Sequence, residues 1–331
     1  MTAVEVRHLV KRYRGARDNA VDDVSFEVPD GQFFCLLGPN GAGKTTTVSI
    51  LTTTLTATGG QVLIAGKDMA SERSTVREQL GVVFQQPSLD VNLTAEENIR
   101  LHAVLYGLYP WRPLYRTMPA AYRRQVTELA GVLGIADVLG RRTRTLSGGM
   151  QRKLEIVRAL MHRPLVLFLD EPTAGLDPES RHSLWAYLRQ IRRDQGTTVF
   201  LTTHYLAEAE VADAVCVLLK GRVIEQGSPS DVKARYTRPE LVLDAQDRVA
   251  LREELRALGI AVNDDVPVRI PMRGSDARTA DGRSAQEVVR SLGSDLTRLE
   301  IVQPTLEDTY LLLLERAGLL ERAEQLERAE Q

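Results

Sequence analysis

Apolar and polar positions alternate from Val4 to Val10 and again, after a polar loop, from Val21 to Val28, so both stretches read as half-buried strands. The next apolar run, QFFCLL at 32–37, shows no alternation and predicts a strand buried on both faces. A glycine-rich stretch follows it. The apolar spacing of VSILTTTLTATGG then predicts a helix that stops at Gly59 and Gly60. From about Ala95 to Met161 the period lengthens to three and four in EENIRLHAVLYGL, AAYRRQVTELAGVLG and GGMQRKLEIVRALMHR, which marks a helical insertion. Two further buried strands, LVLFLD and TTVFLTT, flank a helix that starts after Asp177. The pair AVCVLLKGRVIEQG reads as a hairpin turning at Lys220 and Gly221. Strands that alternate with helices in this way predict an α/β fold with a parallel sheet. Past Pro229 about 80 residues rich in Arg and Asp suggest a small accessory domain, with RGSDARTADGRS as a loop. The end repeats LERAGL, LERAEQ, LERAEQ from Leu314, a strong helix former. Its period of six matches neither 3.5 nor 3.6, so no long coiled coil is expected.

Composition narrows the class. At about 150 residues per domain, 331 residues give about two domains. Hydrophobic residues at 43% and charged residues at 26% are globular values, which excludes a disordered chain or a fibre. The 42 Lys and Arg against 44 Asp and Glu argue against a strongly basic nucleic-acid binder, and no nucleic-acid partner is expected. Cys35 and Cys216 lie in apolar runs and read as buried free thiols, without a disulfide framework. No apolar window approaches the 18–20 residues of a membrane span, and the amino terminus alternates instead of carrying a secretory apolar stretch; cytoplasmic residence is expected. His8, His102, His162 and His182 have no partners at metal-ligand spacing and read as surface or packing residues.

The candidate chemistry begins at Gly38-Pro39-Asn40-Gly41-Ala42-Gly43-Lys44-Thr45, which fits G-x-x-x-x-G-K-[ST] between a buried strand and a helix. Glycines let the backbone curl until several N–H groups and a helix N-terminus face one anion, and a triphosphate uses that many donors. Lys44 would lie against the β- and γ-phosphates, with the Thr45 hydroxyl on Mg²⁺ and Thr46 beside it. A second acidic element should end a buried strand, and Leu167-Phe168-Leu169-Asp170-Glu171 does so. Asp170 is the expected metal residue. Glu171, on the opposite side of an extended backbone, is the expected base facing an attacking water.

Between these two motifs lies Leu146-Ser147-Gly148-Gly149-Met150-Gln151, and this resembles the signature sequence of the ATP-binding subunits of ABC transporters. The resemblance runs from about residue 3 to 230. It implies Tyr13 as the aromatic that stacks on adenine, Gln85 in GVVFQQ as the Q-loop residue on the metal, Ala174-Gly175-Leu176-Asp177 as the D-loop and His204 in LTTH as the switch histidine. Gln86 follows Gln85 and leaves a one-residue ambiguity, in which the GxxxQ spacing favours Gln85. Met150 departs from the usual Gln and is expected to pack, while Ser147, Gly148 and Gly149 supply phosphate contacts. Met150, HRPLVLFLDEPTAGLDPESR, LTTHYLAEAE and PTLEDTYLLL near residue 304 are similar to the antibiotic and multidrug exporter branch, including daunorubicin resistance subunits.

The implied fold is a P-loop NTPase, a RecA-like parallel sheet core, with an antiparallel β subdomain, a helical signature subdomain and a small C-terminal α+β appendage. Residues 1–230 would be the ATP-binding domain, with its helical subdomain at about 90–160, followed by an accessory domain at 231–310 and a helical tail at 311–331. In the family the signature of one subunit completes the site of another. A head-to-tail homodimer enclosing two MgATP is therefore implied, with Asp177 coupling the sites and Gln85 linking them to a transmembrane permease. The chain would sit at the cytoplasmic side of the membrane through that permease. The other reading is a soluble ABC-type ATPase acting on ribosomes or DNA. Tyr109–Arg116 could dock permease helices or cover the subdomain's own core, and Arg141, Arg142 and Arg144 read as a solvated face.

Overall fold

The structure is a computed structural model that describes residues 1–85, 88–203, 205–262, 266–272, 279 and 282–329. Two compact units result, 1–228 and 229–331. The first opens with β1 (Thr2–Lys11), β2 (Val21–Pro29), β3 (Phe33–Leu37), α1 (Lys44–Leu51), β4 (Gly59–Ile64), β5 (Lys67–Asp68), α2 (Arg73–Glu78) and β6 (Leu80–Val83). The helical stretch follows as α3 (Ala95–Leu105), α4 (Ala120–Val132) and α5 (Gly148–Leu160). The chain then returns to the sheet through β7 (Val166–Asp170), α6 (Pro178–Gln195), β8 (Thr198–Thr202), α7 (Leu206–Ala209), β9 (Ala214–Leu219) and β10 (Arg222–Gly227).

These strands make two sheets. An antiparallel sheet has the order β2-β1-β4-β5, and a six-stranded sheet has the order β10-β9-β3-β8-β7-β6. In the larger sheet β9, β3, β8, β7 and β6 pair in parallel. Only β10 is antiparallel, joined to β9 by Lys220 and Gly221 at φ +47° and +80°, the left-handed pair that a tight hairpin turn requires. Every residue of β3, β7 and β8 is buried, as their unbroken apolar runs demand. Phe26 of β2 stacks on Phe34 of β3 at 5.2 Å, and Phe200 sits 5.0 Å from both Phe34 and Phe168, so aromatic packing joins the two sheets.

Two local expectations change. The helix after the glycine stretch ends at Leu51, well before Gly59. Thr52 and Thr54 turn their hydroxyls back onto the carbonyls of Val48 and Ser49, both at 2.8 Å, and Thr53 adopts φ +62°, so the threonine run terminates the helix. Gly59 and Gly60 instead open β4, where a Cβ on Gly60 would lie 2.3 Å from the His8 carbonyl oxygen. The strand β6 was not foreseen, because four residues are too few to show a period.

In the helical part, Thr94 and Glu97 form a capping box that starts α3. Tyr109 and Tyr115 set their ring edges against buried Tyr122, so these two aromatics cover the subdomain's own core, whereas Trp111 remains 63% exposed. His102 and His162, read as surface or packing residues, pack against each other. His102 Nε2 is 3.3 Å from His162 Nδ1, and the His162 Nε2–H donates to the Leu80 carbonyl at 2.9 Å at the start of β6. Tyr106 stacks on both rings at 4.3 Å. Burial first, then the neighbouring His162 and Arg158, pushes the His102 pKa down to about 3, and burial also lowers that of His162. Both rings are therefore neutral in the folded chain, while the unfolded chain protonates them below about pH 6.5. The contribution of His102 is complete above pH 6.5 and is lost as pH falls from there toward 3. A loss on the order of 1–2 kcal/mol is expected by pH 5. Thermal unfolding of His102→Gln across pH 8 to 5 should show a flatter acid limb than the parent, and equal slopes would refute the assignment.

The second unit contains α8 (Pro229–Tyr236), β11 (Glu240–Ala245), α9 (Arg248–Ala257), β12 (Val268–Pro271), α10 (Ala285–Arg290), β13 (Leu296–Val302) and α11 (Leu306–Ala329). Its antiparallel sheet has the order β12-β11-β13. Leu241 and Leu243 of β11 pack with Leu251 and Leu255 of α9, Ile270 of β12 and Val288 of α10. Of the loop expected at RGSDARTADGRS, residues 273–278 and 280–281 lie outside the described residues.

Candidate functional site

The order β3-β8-β7-β6 sets four strand ends side by side: Leu37, Thr202, Asp170 and Val83. Crevices at the carboxyl ends of parallel strands are where open α/β sheets hold ligands. Beyond β3 the chain turns through Gly38, Gly41 and Gly43 at φ +153°, +80° and +100°. A Cβ on Gly38 would lie 2.4 Å from the Leu218 carbonyl oxygen and one on Gly43 2.5 Å from that of Ala20, so only glycine fits these two positions. Pro39 accepts the Ala42 N–H at 3.2 Å, and buried Ala42 accepts that of Gly221 at 2.9 Å, which fixes the loop to the β9–β10 turn. Asn40, Gly41 and Thr45 are exposed. Gly43 caps α1 without any side-chain bond, so the first-turn N–H groups point out of the helix with no side-chain acceptor at the cap.

Half-buried Lys44 reaches back over this loop, donating to the carbonyls of Gly38 at 2.6 Å and Pro39 at 3.0 Å. Burial lowers its pKa, and the carboxylates of Glu171 and Asp170 oppose that shift. The glycine loop and the acidic pair therefore share one electrostatic site. Tyr13 is exposed at its side, with its hydroxyl 3.2 Å from that of Thr46 and the Lys11 ammonium 5.5 Å from the ring centre.

Asp170 ends β7 and is buried, and the Thr202 hydroxyl at the end of β8 donates to its carboxylate. Burial raises its pKa, which Thr202, Arg152 and Lys44 counteract. Glu171 was expected to face away from Asp170 through the alternation of an extended strand. Instead the strand stops at Asp170 and Glu171 takes φ +49°, a left-handed conformation that costs about 1–2 kcal/mol for a residue with a Cβ. Its N–H bonds the Thr202 carbonyl at 3.0 Å, which holds the turn. The Gln85 amide donates to the Glu171 carboxylate at 3.1 Å, so the residue just past β6 meets the residue just past β7. Gln86 and His204 lie outside the described residues.

Ser147 caps α5, and its hydroxyl oxygen accepts the Met150 N–H at 3.3 Å. Ser147 and Gly148 are exposed and Met150 is half-buried. A Cβ on Gly149 would come within 3.2 Å of the Gly175 carbonyl oxygen, so the signature segment packs against the D-loop of the same chain. Among the described residues no hydrogen bond or ion pair links Ser147, Gly148 or Gly149 to residues 38–46. Asp177 caps α6, accepting from the Ser180 N–H at 2.8 Å and from its hydroxyl, and these bonds lower its pKa.

Buried Arg152 went unforeseen. From α5 it donates to the carbonyls of Phe84 and Asp170 and pairs with fully buried Glu155 at 3.3 Å. Glu155 in turn accepts the Ser88 N–H at 2.6 Å, so both sides of Gln85 are fastened to the helix that carries the signature. The spacing of Arg152, Glu155 and Arg158 was the available signal, since each successive i, i+3 pair sets opposite charges side by side among the apolar residues Leu154, Ile156 and Val157.

The donor set fits a magnesium nucleotide. Three left-handed glycines beside a helix start capped without a side chain suit a chain of phosphates. One carboxylate with a hydroxyl and an amide suits Mg²⁺, which takes oxygen ligands and completes its shell from phosphate and water. Among the described residues no cluster of three or more His, Cys, Asp or Glu could serve as an all-protein metal cage.

The comparisons with known proteins agree with this geometry. A family model described as ABC transporter matches residues 21–174. The daunorubicin/doxorubicin resistance ATP-binding protein DrrA of Streptomyces peucetius is 38% identical over 317 residues, 94% of this chain and 92% of that protein. The Nod factor export ATP-binding protein I of Paraburkholderia xenovorans is 36% identical over 258 residues, 77% of this chain and 81% of that protein. Among solved structures, an ATP-binding subunit of an ABC transporter superposes with a TM-score of 0.64 at 32% identity, covering 71% of this chain and 93% of its own. The dimeric post-hydrolysis cassette MJ0796 bound to ADP and Pi gives 0.62 at 26% identity, covering 68% and 98%.

Proposed function

The chain belongs to the ABC transporter ATP-binding family, and on that premise we propose that it powers a separate transmembrane permease exporting drug-like or antibiotic compounds. It is an ATP-binding and ATP-hydrolysing protein. The convergence of the four strand ends carries the reading of its site. Lys44 and the N–H groups of residues 40–46 bind the phosphates, and Tyr13 offers its exposed ring to adenine. Thr45, Gln85 and Asp170 hold Mg²⁺, which when bound neutralises charge on the phosphates. Glu171 takes the proton of the attacking water, oriented by the Gln85 amide, and His204 contacts the γ-phosphate.

Ser147, Gly148 and Gly149 of a second copy close the site in a head-to-tail homodimer. That no hydrogen bond or ion pair among the described residues joins them to the phosphate loop of their own chain supports that reading, as does the dimeric form of a solved relative. Asp177, the last residue of the D-loop and the cap of α6, couples the two sites. Exposed Trp111 and Leu114, with Leu101 and Leu105 of α3, offer the permease an apolar surface, which would hold the chain at the cytoplasmic side of the membrane. No described helix is long and apolar enough to cross a membrane. Residues 1–230 form the ATP-binding domain in this scheme, with 231–310 and 311–331 as an accessory domain and tail. The alternative of a soluble ATPase on ribosomes or DNA gains no support, since relatives matching most of the chain are named resistance proteins.

Because each site needs two chains, ATPase activity per chain is expected to rise with protein concentration toward a plateau. Undiminished activity in a chain shown to be monomeric by sedimentation velocity would overturn the dimeric mechanism. Co-purification of a polytopic membrane protein from solubilised membranes tests the transport role.

A further inference from the structure

The strand β13 lies at one edge of the second unit's sheet and pairs only with β11 among the described residues. Its register sets Leu299 opposite Leu243 and Ile301 opposite Leu241, and directly opposed residues share a sheet face. Leu241 and Leu243 are fully buried in the core, yet Leu299 is 53% and Ile301 44% exposed. Two branched apolar side chains thus stand on the core face of the sheet outside the cover of its helices. An uncovered edge with such side chains invites another strand, and proteins usually guard it with Lys, Pro or a bulge. Here the flanking charges are Arg298 and Glu300, 2.7 Å apart and both half-exposed.

This arrangement is self-complementary. Let a second β13 run antiparallel about a two-fold axis at Leu299. Arg298 then faces Glu300 of the other copy twice, Leu299 faces Leu299, and Thr297 faces Ile301. Each exposed apolar side chain gains an apolar or β-branched neighbour, and no like charges meet. We propose that β13 is a self-recognising edge through which two copies of this chain pair without nucleotide. The contact extends the three-stranded sheet to six strands across the axis. A seven-residue strand pair is small beside the roughly 1,200–2,000 Å² of a stable interface. The association is therefore weak and reversible, and it raises the local concentration of the second chain that the nucleotide site requires.

The test uses the full chain with no ATP or Mg²⁺, so its outcome is independent of the nucleotide-site reading. Oxidation of Leu299→Cys should give a disulfide-linked dimer on a non-reducing gel, because opposed Cα atoms at the axis fall within disulfide range. Cys35 and Cys216 are buried and do not compete. Thr297→Cys, four residues out of register with its own copy, should cross-link several-fold less. Adding Arg298→Glu or Glu300→Arg to Leu299→Cys should each reduce cross-linking several-fold, since like charges then face across the axis. An equimolar mixture of these two double variants should restore it, although each chain's internal Arg298–Glu300 pair stays broken. Equal cross-linking at 297 and 299, or a mixture no better than its components, would overturn the proposal.

Discussion

Glu171→Gln is expected to slow ATP hydrolysis about 10²–10⁴-fold, the range that a positioned general base supplies, while leaving nucleotide affinity near the parent value. The amide keeps the shape of the carboxylate and still accepts the Gln85 N–H, so the turn and the site stay in place. What it lacks is the capacity to take a proton from water. The closed dimer should then persist, because the step that opens it is blocked, and size-exclusion chromatography with ATP should show the dimer peak. The left-handed backbone at Glu171 sharpens the expectation, since a strained residue at a site persists where the surrounding structure holds it. Phosphate release at the parent rate would remove Glu171 as the base.

Lys44→Ala should weaken ATP binding about 10–100-fold, in line with the roughly 1.5–3 kcal/mol of a hydrogen bond to a charged group. In the structure the ammonium rests on two loop carbonyls while burial disfavours its charge. A bound phosphate would replace those neutral acceptors with anionic oxygens and relieve the penalty, so the loss falls on binding and leaves folding nearly untouched. Fluorescence titration with a nucleotide analogue and thermal unfolding separate the two. Unchanged affinity, or lost affinity with an equally lowered melting temperature, would count against this role.

The elements that were legible are those written in contiguous residues. FFCLL, VLFLD and TVFLT announce buried strands because an all-apolar run has no exposed face, and the glycine loop is readable because eight neighbouring residues carry it. Where packing sets a boundary the pattern misleads. The helix after Lys44 looked longer than it is, because apolar spacing does not register threonine hydroxyls that bond back to the chain at Val48 and Ser49. Glu171 departs from the alternation of its strand, since an apolar pattern cannot foretell a left-handed residue at a strand end.

From the sequence alone came the chemistry on offer: a glycine cradle, a lysine, an acidic pair, and a signature segment with the identity that the relatives share. Tertiary structure decided which of these meet. Gln85 and Glu171 are 86 positions apart and touch because β6 and β7 are neighbours, while β8 inserts between β3 and β7 and brings Thr202 to Asp170. Arg152 gained its role, and His102 its depressed pKa, from partners distant in the chain. Local periodicity records which face of an element is buried. Strand order and buried charge partners arise only when distant segments exclude water together, so they become visible once the chain is folded.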